Sequence, residues 1–274
     1  MRRLSLAIIA AVSTVALTQI ASAADLPRKA PAPAVVAAPY SWYGFYIGVQ
    51  GGYAWGRDAI NLTPDTNYAP AAAAGVFPSS IASDPRGALG GIQFGSNWQF
   101  GRLVVGTASD FSFSDIKSSQ TPFVTISGPG PLTVTTLGEQ KLEWLSTTRA
   151  RVGYTVTDTL LLYGTGGLAD GRASASSSIR LTGCPGLGNC PAGSHAKTLW
   201  GWAAGGGMEY AMGHWSVNVE YIHYDLGHLN YNMTDPTFPG AFIAASTKFS
   251  GDVVRGGINY RFDWTPWEII FGRR

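Results

Sequence analysis

Residues Trp42–Gly56 read WYGFYIGVQGGYAWG. The odd positions, from Tyr43 to Trp55, form an apolar face with aromatic ends, whereas the even positions form a small and polar face. A repeat of two residues predicts a β-strand. The stretch is longer than an ordinary strand of about 5–6 residues, and it is long enough for a tilted membrane strand of about 9–11 residues. It therefore predicts a strand that crosses a membrane.

The same alternation recurs in seven further segments, which brings the expected strand count to eight: Leu89–Trp98, Leu103–Phe111, Leu142–Tyr154, Thr159–Ala169, Thr198–Tyr210, Trp215–Tyr224 and Asp252–Phe262. Short connections alternate with long ones along the chain. The short ones are Gln99–Arg102, Thr155–Asp158 and Ala211–His214, and the long ones are Arg57–Arg86, Ser112–Lys141, Asp170–Lys197 and Asp225–Thr247. Outer-membrane barrels have short periplasmic turns and long extracellular loops. Residues 42–262 are therefore predicted to be all-β, forming an eight-stranded antiparallel transmembrane up-and-down β-barrel with four long extracellular loops.

The composition agrees with this class of protein and excludes several others. Charged residues make up 13% of the 274 residues, about half of the roughly 25% in ordinary soluble domains. Because 45% of the chain is apolar, it is not intrinsically disordered. Lys and Arg number 19 against 17 Asp and Glu, so the charge balance predicts no nucleic-acid partner.

The two ends of the chain are predicted to lie outside the barrel. Met1–Ala23 has the charged start, apolar middle and small-residue cleavage site of a secretory signal peptide. The Ala- and Pro-rich residues 24–41 are predicted to be a periplasmic linker, with contact to peptidoglycan as an alternative. Asp263–Arg274 forms a C-terminal tail, either at the membrane interface or against a partner. The expected location is the cell outer membrane.

Charged residues on the predicted inward faces form the first candidate site. The interior of an eight-stranded barrel is only wide enough for side chains, and buried charges are retained when they are paired. We therefore predict a lumen charge network of Asp110, Glu143, Arg149, Arg151, Glu209, Glu220, Arg255 and Arg261. Two interpretations stay open, because the network is either a plug or the lining of a narrow pore. Replacing Arg149 and Arg151 with alanine is expected to raise the conductance if they form the plug.

The last strand ends in a pattern with Gly257, Tyr260 and Phe262 at the key positions. This pattern is similar to the signal that the outer-membrane assembly machinery recognises. Together with the blocks WLSTTRARVGY, LLYGTGGLA and WSVNVEYIHYDLG, it resembles an alphaproteobacterial family of surface-antigen barrels related to the transmembrane domain of outer membrane protein A. The resemblance implies outer-membrane lipid, lipopolysaccharide and the assembly machinery as partners. Ala108, where we expect an acidic residue, and the tail depart from the family pattern.

Metal, cofactor and catalytic sites are not predicted. Cys184 and Cys190 lie in one long loop and are expected to form a disulfide, with free thiols as the alternative. Together with His195 they are one ligand short of a zinc site. His223 and Asp225 lie at the outer end of a strand, but no nucleophile accompanies them and no G-x-S-x-G or H-E-x-x-H motif occurs. We therefore expect no enzyme.

Three functional hypotheses remain from the sequence. The first is a structural and surface-exposed barrel of the cell envelope, with its lumen plugged by the charge network. The second is a small porin for ions or small solutes. The third, which the resemblance permits, is a receptor or adhesin whose loops bind a host surface, a phage or a ligand such as haem.

Overall fold

The computed structural model describes residues 40–126, 132–182, 191–236 and 238–264. Within these residues the secondary structure consists of β1 (Gly44–Trp55), β2 (Asp58–Pro64), α1 (Ala69–Ala73), β3 (Ser80–Ser83), β4 (Arg86–Phe100), β5 (Leu103–Gln120), β6 (Phe123–Ile126), β7 (Leu132–Thr157), β8 (Leu160–Thr182), β9 (Ala192–Met212), β10 (Trp215–Thr234) and β11 (Phe242–Phe262). None of the helices in the described ranges has the length and apolarity needed to cross a membrane.

Eight of the strands form a closed antiparallel ring. The order is β1-β4-β5-β7-β8-β9-β10-β11, and β1 also pairs with β11, from Phe45 opposite Phe262 to Trp55 opposite Asp252. Each strand of the ring pairs with the ring strands that come before and after it along the chain, and the first and last strands close the ring. The predicted up-and-down barrel is therefore confirmed. The three additional strands lie on the outer part of the ring, where β2 pairs with β11, β3 pairs with β2, and β6 pairs with β7.

The predicted periplasmic connections are short, as expected, but each consists of two residues rather than the four predicted. They are Gly101–Arg102, Asp158–Thr159 and Gly213–His214. Gly101 and Gly213 have positive φ angles of 63° and 66°, which glycine adopts without steric cost.

The long connections at the outer end differ from the prediction. The strand pairs continue far into the predicted loops, so that β7 and β8 stay paired up to Thr133 opposite Thr182. At 23 and 26 residues, β8 and β7 are more than twice as long as the ~9–11 residues that cross a membrane. The barrel wall therefore extends well beyond the bilayer on the extracellular side.

Along the strands, the inner face of the wall changes from polar to apolar and the outer face changes from apolar to polar. Strand β10 shows this change. In its first half Val217 and Val219 face outward and are exposed, whereas Glu220 is buried inside. In its second half Leu229 and Met233 are buried inside. Near this level three pairings contain register shifts, between Phe113 and Ile116, between Leu142 and Leu145, and between Asp225 and His228. A β-bulge changes the alternation of side chains, and these bulges lie near the level at which the exposed side chains change from apolar to polar.

The outer half of the barrel encloses an apolar core. Its buried side chains come from most strands of the ring and from the additional strands, with Ile60 on β2 and Ile81 on β3 closing it from one side. Each fully buried Leu, Ile or Phe side chain contributes about 1.5–3 kcal/mol. This core stabilises the extracellular extension and fills its interior.

Candidate functional site

Four charged side chains meet in the middle of the barrel interior, and each comes from a different strand. Arg149 on β7 contacts Asp110 on β5 at 3.2 Å and Glu220 on β10 at 2.8 Å. Arg255 on β11 contacts the same two carboxylates at 2.9 and 2.7 Å. All four side chains are at most 3% exposed. The cluster contains two cations and two anions, so its formal charge is zero.

Neighbouring hydroxyls complete the hydrogen bonds of this cluster. Thr147 donates to Asp110 Oδ1 at 2.5 Å and accepts from Arg149 Nε at 2.9 Å. Thr165 accepts from Arg149 Nη1 at 2.6 Å. The free volume among these side chains is about 10 Å³, which is about the space that one water molecule occupies. Little free space is thus left among the side chains of the cluster.

A second ion pair lies closer to the periplasm. Arg151 on β7 pairs with Glu209 on β9, and its guanidinium lies 3.7 Å from the centre of the Tyr163 ring. Glu209 also accepts hydrogen bonds from Ser216 at 2.5 Å and from Asn259 at 3.0 Å. Cation–π contact and charge-assisted hydrogen bonds stabilise this pair in a buried position.

An apolar cluster around Trp42 lies at the end of the barrel that carries the short turns. Its side chain is 1% exposed and packs with Val104, Leu161, Tyr163 and Ala211. Trp42 Nε1 donates to the Asp158 carbonyl at 3.1 Å, and Trp42 N donates to the Gln99 side chain at 2.7 Å. Sequence analysis assigned Trp42 to the small and polar face. The even position indicates that the side chain faces inward. The alternation gives no indication that this large side chain packs across the mouth of the barrel.

Residues at the rim hold this mouth together. Arg261 Nε donates to the Tyr40 hydroxyl at 3.0 Å, and Arg261 Nη1 pairs with Asp263 at 2.6 Å. Burial raises the pKa of the Tyr40 hydroxyl although Arg261 opposes the shift, so the group stays protonated at neutral pH. Tyr40 was predicted to belong to the linker, and in the structure it packs edge-on against Trp42.

Two members of the predicted network lie elsewhere. Glu143 pairs with Arg172 at 3.3 Å, and the two side chains are 40% and 48% exposed. The register shift between Leu142 and Leu145 interrupts the alternation on which the prediction depended, so Glu143 is not in the lumen. Arg261 faces the rim and is separate from the four-residue cluster. The structure brings together the other six residues as two neighbouring groups.

The remaining predicted residues lie at the end of the chain or outside the described residues. Gly257, Tyr260 and Phe262 are in β11, where the Tyr260 and Phe262 rings are 5.0 Å apart. Phe45 N donates to the Trp264 carbonyl at 2.8 Å, so pairing with β1 continues past Phe262. Cys184 and Cys190, the signal peptide and nearly all of the linker and tail lie outside the described residues, and recognition by the assembly machinery stays a prediction.

His223 has a different partner from the one considered in the sequence. Its Nδ1 lies 2.8 Å from Asp252 Oδ1, and the Tyr221 hydroxyl donates to the same oxygen at 2.6 Å. Asp225 pairs instead with Lys248 at 2.8 Å. These outward-facing polar groups mark the level at which the lipid-facing surface ends.

Known proteins with similar sequences are named as outer-membrane proteins. A family model described as the outer membrane protein beta-barrel domain matches residues 9–262. The 31 kDa outer-membrane immunogenic protein of Brucella melitensis biotype 1 is 33% identical over 263 residues, which cover 94% of this chain and 97% of that protein. The 22 kDa outer membrane protein of Rhizobium leguminosarum bv. viciae is 28% identical over 213 residues, or 76% of this chain and 75% of that protein.

Solved structures with a similar fold include two outer-membrane proteins. OprG from Pseudomonas aeruginosa aligns with 80% of this chain and 96% of its own chain, with a TM-score of 0.44 and 14% identity. The protease OmpT from Escherichia coli aligns with 80% and 97%, with a TM-score of 0.42 and 8% identity. The family model and the Brucella relative each cover nearly all of the chain, and the chain therefore belongs to the outer membrane protein beta-barrel domain family and is a protein of the outer membrane.

Proposed function

We propose that this protein is a structural, surface-exposed barrel of the outer membrane whose interior is closed to ions and solutes. The observation that carries the proposal is the filling of the interior at three successive levels. The Trp42 cluster lies at the periplasmic mouth, the ion pairs fill the middle, and the apolar core fills the outer half. An ion crossing the barrel would have to displace all three in series.

The energetics of the middle level support a plug more than a selectivity element. Arg149 and Arg255 each contact both Asp110 and Glu220, so neither cation has a free carboxylate toward which it could move. Breaking such a buried group exposes an uncompensated charge, which costs about 3–5 kcal/mol. A permeating ion would have to provide that free energy. In the outer half, buried polar side chains such as Ser83 and Gln140 are hydrogen-bonded to each other among the apolar side chains.

The size of the extracellular extension supports a surface role. The paired strands that extend beyond the bilayer have their outer ends at Gln120 of β5, Thr182 of β8 and Thr234 of β10. The Brucella relatives carry the name of immunogenic outer-membrane proteins. By this proposal the protein presents these outer ends to the surroundings of the cell, and it has no catalytic role.

Single-channel recording tests the proposal directly. The chain without Met1–Ala23 is refolded, its folding is checked by the gel shift between boiled and unboiled samples, and it is added to a planar bilayer. We expect no discrete current steps, whereas a porin added to the same membrane should give them. Reproducible steps from the folded protein would overturn the closed-barrel proposal and favour the small porin.

A further inference from the structure

Three basic side chains lie side by side on the outer surface of the wall. Arg86 on β4 is directly opposite Lys117 on β5, and Lys117 is directly opposite Lys141 on β7. All three are exposed. Like charges directly opposite each other destabilise an antiparallel pair, so this arrangement, the basic row, points to an anion that binds across the strands.

The position of the basic row defines where that anion must lie. Arg86 is opposite Trp55 across the β1–β4 pair, and Trp55 is one of the outward aromatic residues at the outer end of the barrel wall. Phe113, which is 71% exposed, and Trp144 lie next to each other just below Lys117 and Lys141. Aromatic side chains of this kind lie at the level of the lipid head groups. The basic row therefore lies at or just above the head groups of the outer leaflet.

A concave pocket adjoins the basic row. It has a volume of about 550 Å³ and is lined by Lys117, Lys141 and one carboxylate, Glu139, together with small hydroxyl-bearing residues, including Ser174, Ser176 and Ser194. Ser174 is directly opposite Lys141. The pocket thus places two ammonium groups beside several hydroxyls, which fits a ligand with both phosphate and sugar hydroxyl groups.

The acidic groups near the basic row have partners, and one of these partners is Lys117 of the row itself. Asp115 pairs with Lys117 at 3.0 Å, Glu143 pairs with Arg172 at 3.3 Å, and Ser176 donates to Glu139 at 3.3 Å. In the described part of the chain, Arg86 and Lys141 form no ion pair. Two positive charges of the row are thus available to a ligand.

We propose that the basic row and the adjoining pocket bind the phosphorylated sugar head group of lipopolysaccharide in the outer leaflet. The phosphate lies between Arg86 and Lys141, and the sugar lies over the serines of β8 and β9. This inference rests on the proposed function in one respect, because it makes the surrounding glycolipid the partner through which the structural barrel is held in the envelope.

Binding of lipid A with and without its phosphates tests the proposal. The refolded protein is immobilised in detergent micelles and titrated with bisphosphorylated lipid A, dephosphorylated lipid A and inorganic phosphate. A basic residue near an anionic membrane surface contributes about 1 kcal/mol, or about fivefold in affinity. We therefore expect the R86Q/K141Q variant to bind bisphosphorylated lipid A about 30-fold more weakly than the parent.

Matched variants separate the site from overall charge and from misfolding. The R102Q/R180Q variant also loses two exposed arginines, one at a periplasmic turn and one near the outer end of β8, and should bind within twofold of the parent. The S174W variant keeps every charge but fills the pocket, and should weaken binding at least tenfold. The gel shift between boiled and unboiled samples confirms that each variant is folded.

Several results would overturn the proposal. They are equal affinity for phosphorylated and dephosphorylated lipid A, unchanged affinity of R86Q/K141Q for lipid A, or an equal loss of affinity in R102Q/R180Q. Full displacement of lipid A by inorganic phosphate at millimolar concentration would also overturn it, because that result would indicate a site for free phosphate. The conductance of the same samples is measured separately. Current steps with intact lipid binding would refute the closed barrel alone, and silence without lipid binding would refute the head-group site alone.

Discussion

Removal of one cation from the central ion cluster should destabilise the barrel far more than removal of an exposed one. Arg149 bonds to Asp110 at 3.2 Å, to Glu220 at 2.8 Å and to Thr165 at 2.6 Å. Arg149→Met keeps an apolar side chain of similar length but leaves two buried carboxylates to Arg255 alone. We expect a loss of about 3–5 kcal/mol in the free energy of unfolding, which is the usual cost of breaking a buried pair.

A double-mutant cycle isolates the electrostatic part of this loss. Glu220→Gln alone leaves two arginines with one carboxylate, and it should cost a similar amount. The R149M/E220Q variant restores charge balance and leaves Asp110 paired with Arg255, which contact each other at 2.9 Å. The loss in the free energy of unfolding of the double variant should therefore be smaller than the sum of the two single losses by about 1–3 kcal/mol.

The chain offers a matched control in the exposed pair of Arg172 and Glu143. Their contact distance of 3.3 Å resembles those in the lumen, but the side chains are 48% and 40% exposed. Arg172→Met should therefore cost no more than about 1 kcal/mol. Urea unfolding in lipid vesicles, followed by tryptophan fluorescence and the gel shift, measures all of these variants. If R149M costs no more than R172M, or if the R149M and E220Q losses simply add, the cluster does not stabilise the lumen as argued.

Three further predictions follow from the layered interior and the two-faced wall. The proposed closure places the Trp42 cluster and the apolar core on either side of the ion pairs, and by that proposal the R149A/R151A variant should stay silent in a planar bilayer. Current steps of the size of a porin would show that the ion pairs are the sole barrier. Trp42→Ala should lower the free energy of unfolding by about 3–5 kcal/mol, and a loss below 1 kcal/mol in urea unfolding would contradict its role in closing the mouth. Val219 lies on the lipid-facing half of β10, and Val219→Arg should lower the free energy of unfolding by about 2–4 kcal/mol. Asn230 is exposed on the outer half of β10, and Asn230→Arg should change the free energy of unfolding by no more than about 0.5 kcal/mol. Equal losses in the two variants would place the membrane boundary elsewhere.

Much of the candidate site could be predicted because each of its side chains lies in an alternating strand. Arg149, Arg151, Glu209 and Glu220 are polar residues opposite an apolar face, and the alternation alone assigns them to the interior. The pairing of partners was beyond this reasoning, since Asp110 and Arg255 are 145 residues apart in the chain. Their contact depends on the closure of the ring and on its register.

The failures have equally specific causes. Glu143 was assigned to the lumen because a bulge cannot be recognised from alternation when both neighbouring residues are large. The sequence favours loops for the outer strands because many of their outward residues are Ser, Thr and Asn, a composition that also favours turns. In segments such as Ala173–Ile179, the inward Ala and Ile side chains that form the apolar core were too few and too small to stand out.

The sequence by itself determined the class of fold, the number of strands in the ring and the alternation of short and long connections. These properties are local, because the side-chain direction along a strand repeats every two residues and lipid selects one face. Only the tertiary structure decided the pairing of charges, the closure by Trp42 and the change from a polar to an apolar interior. Those features depend on the height of each residue in the closed ring, and that height is set jointly by all eight strands.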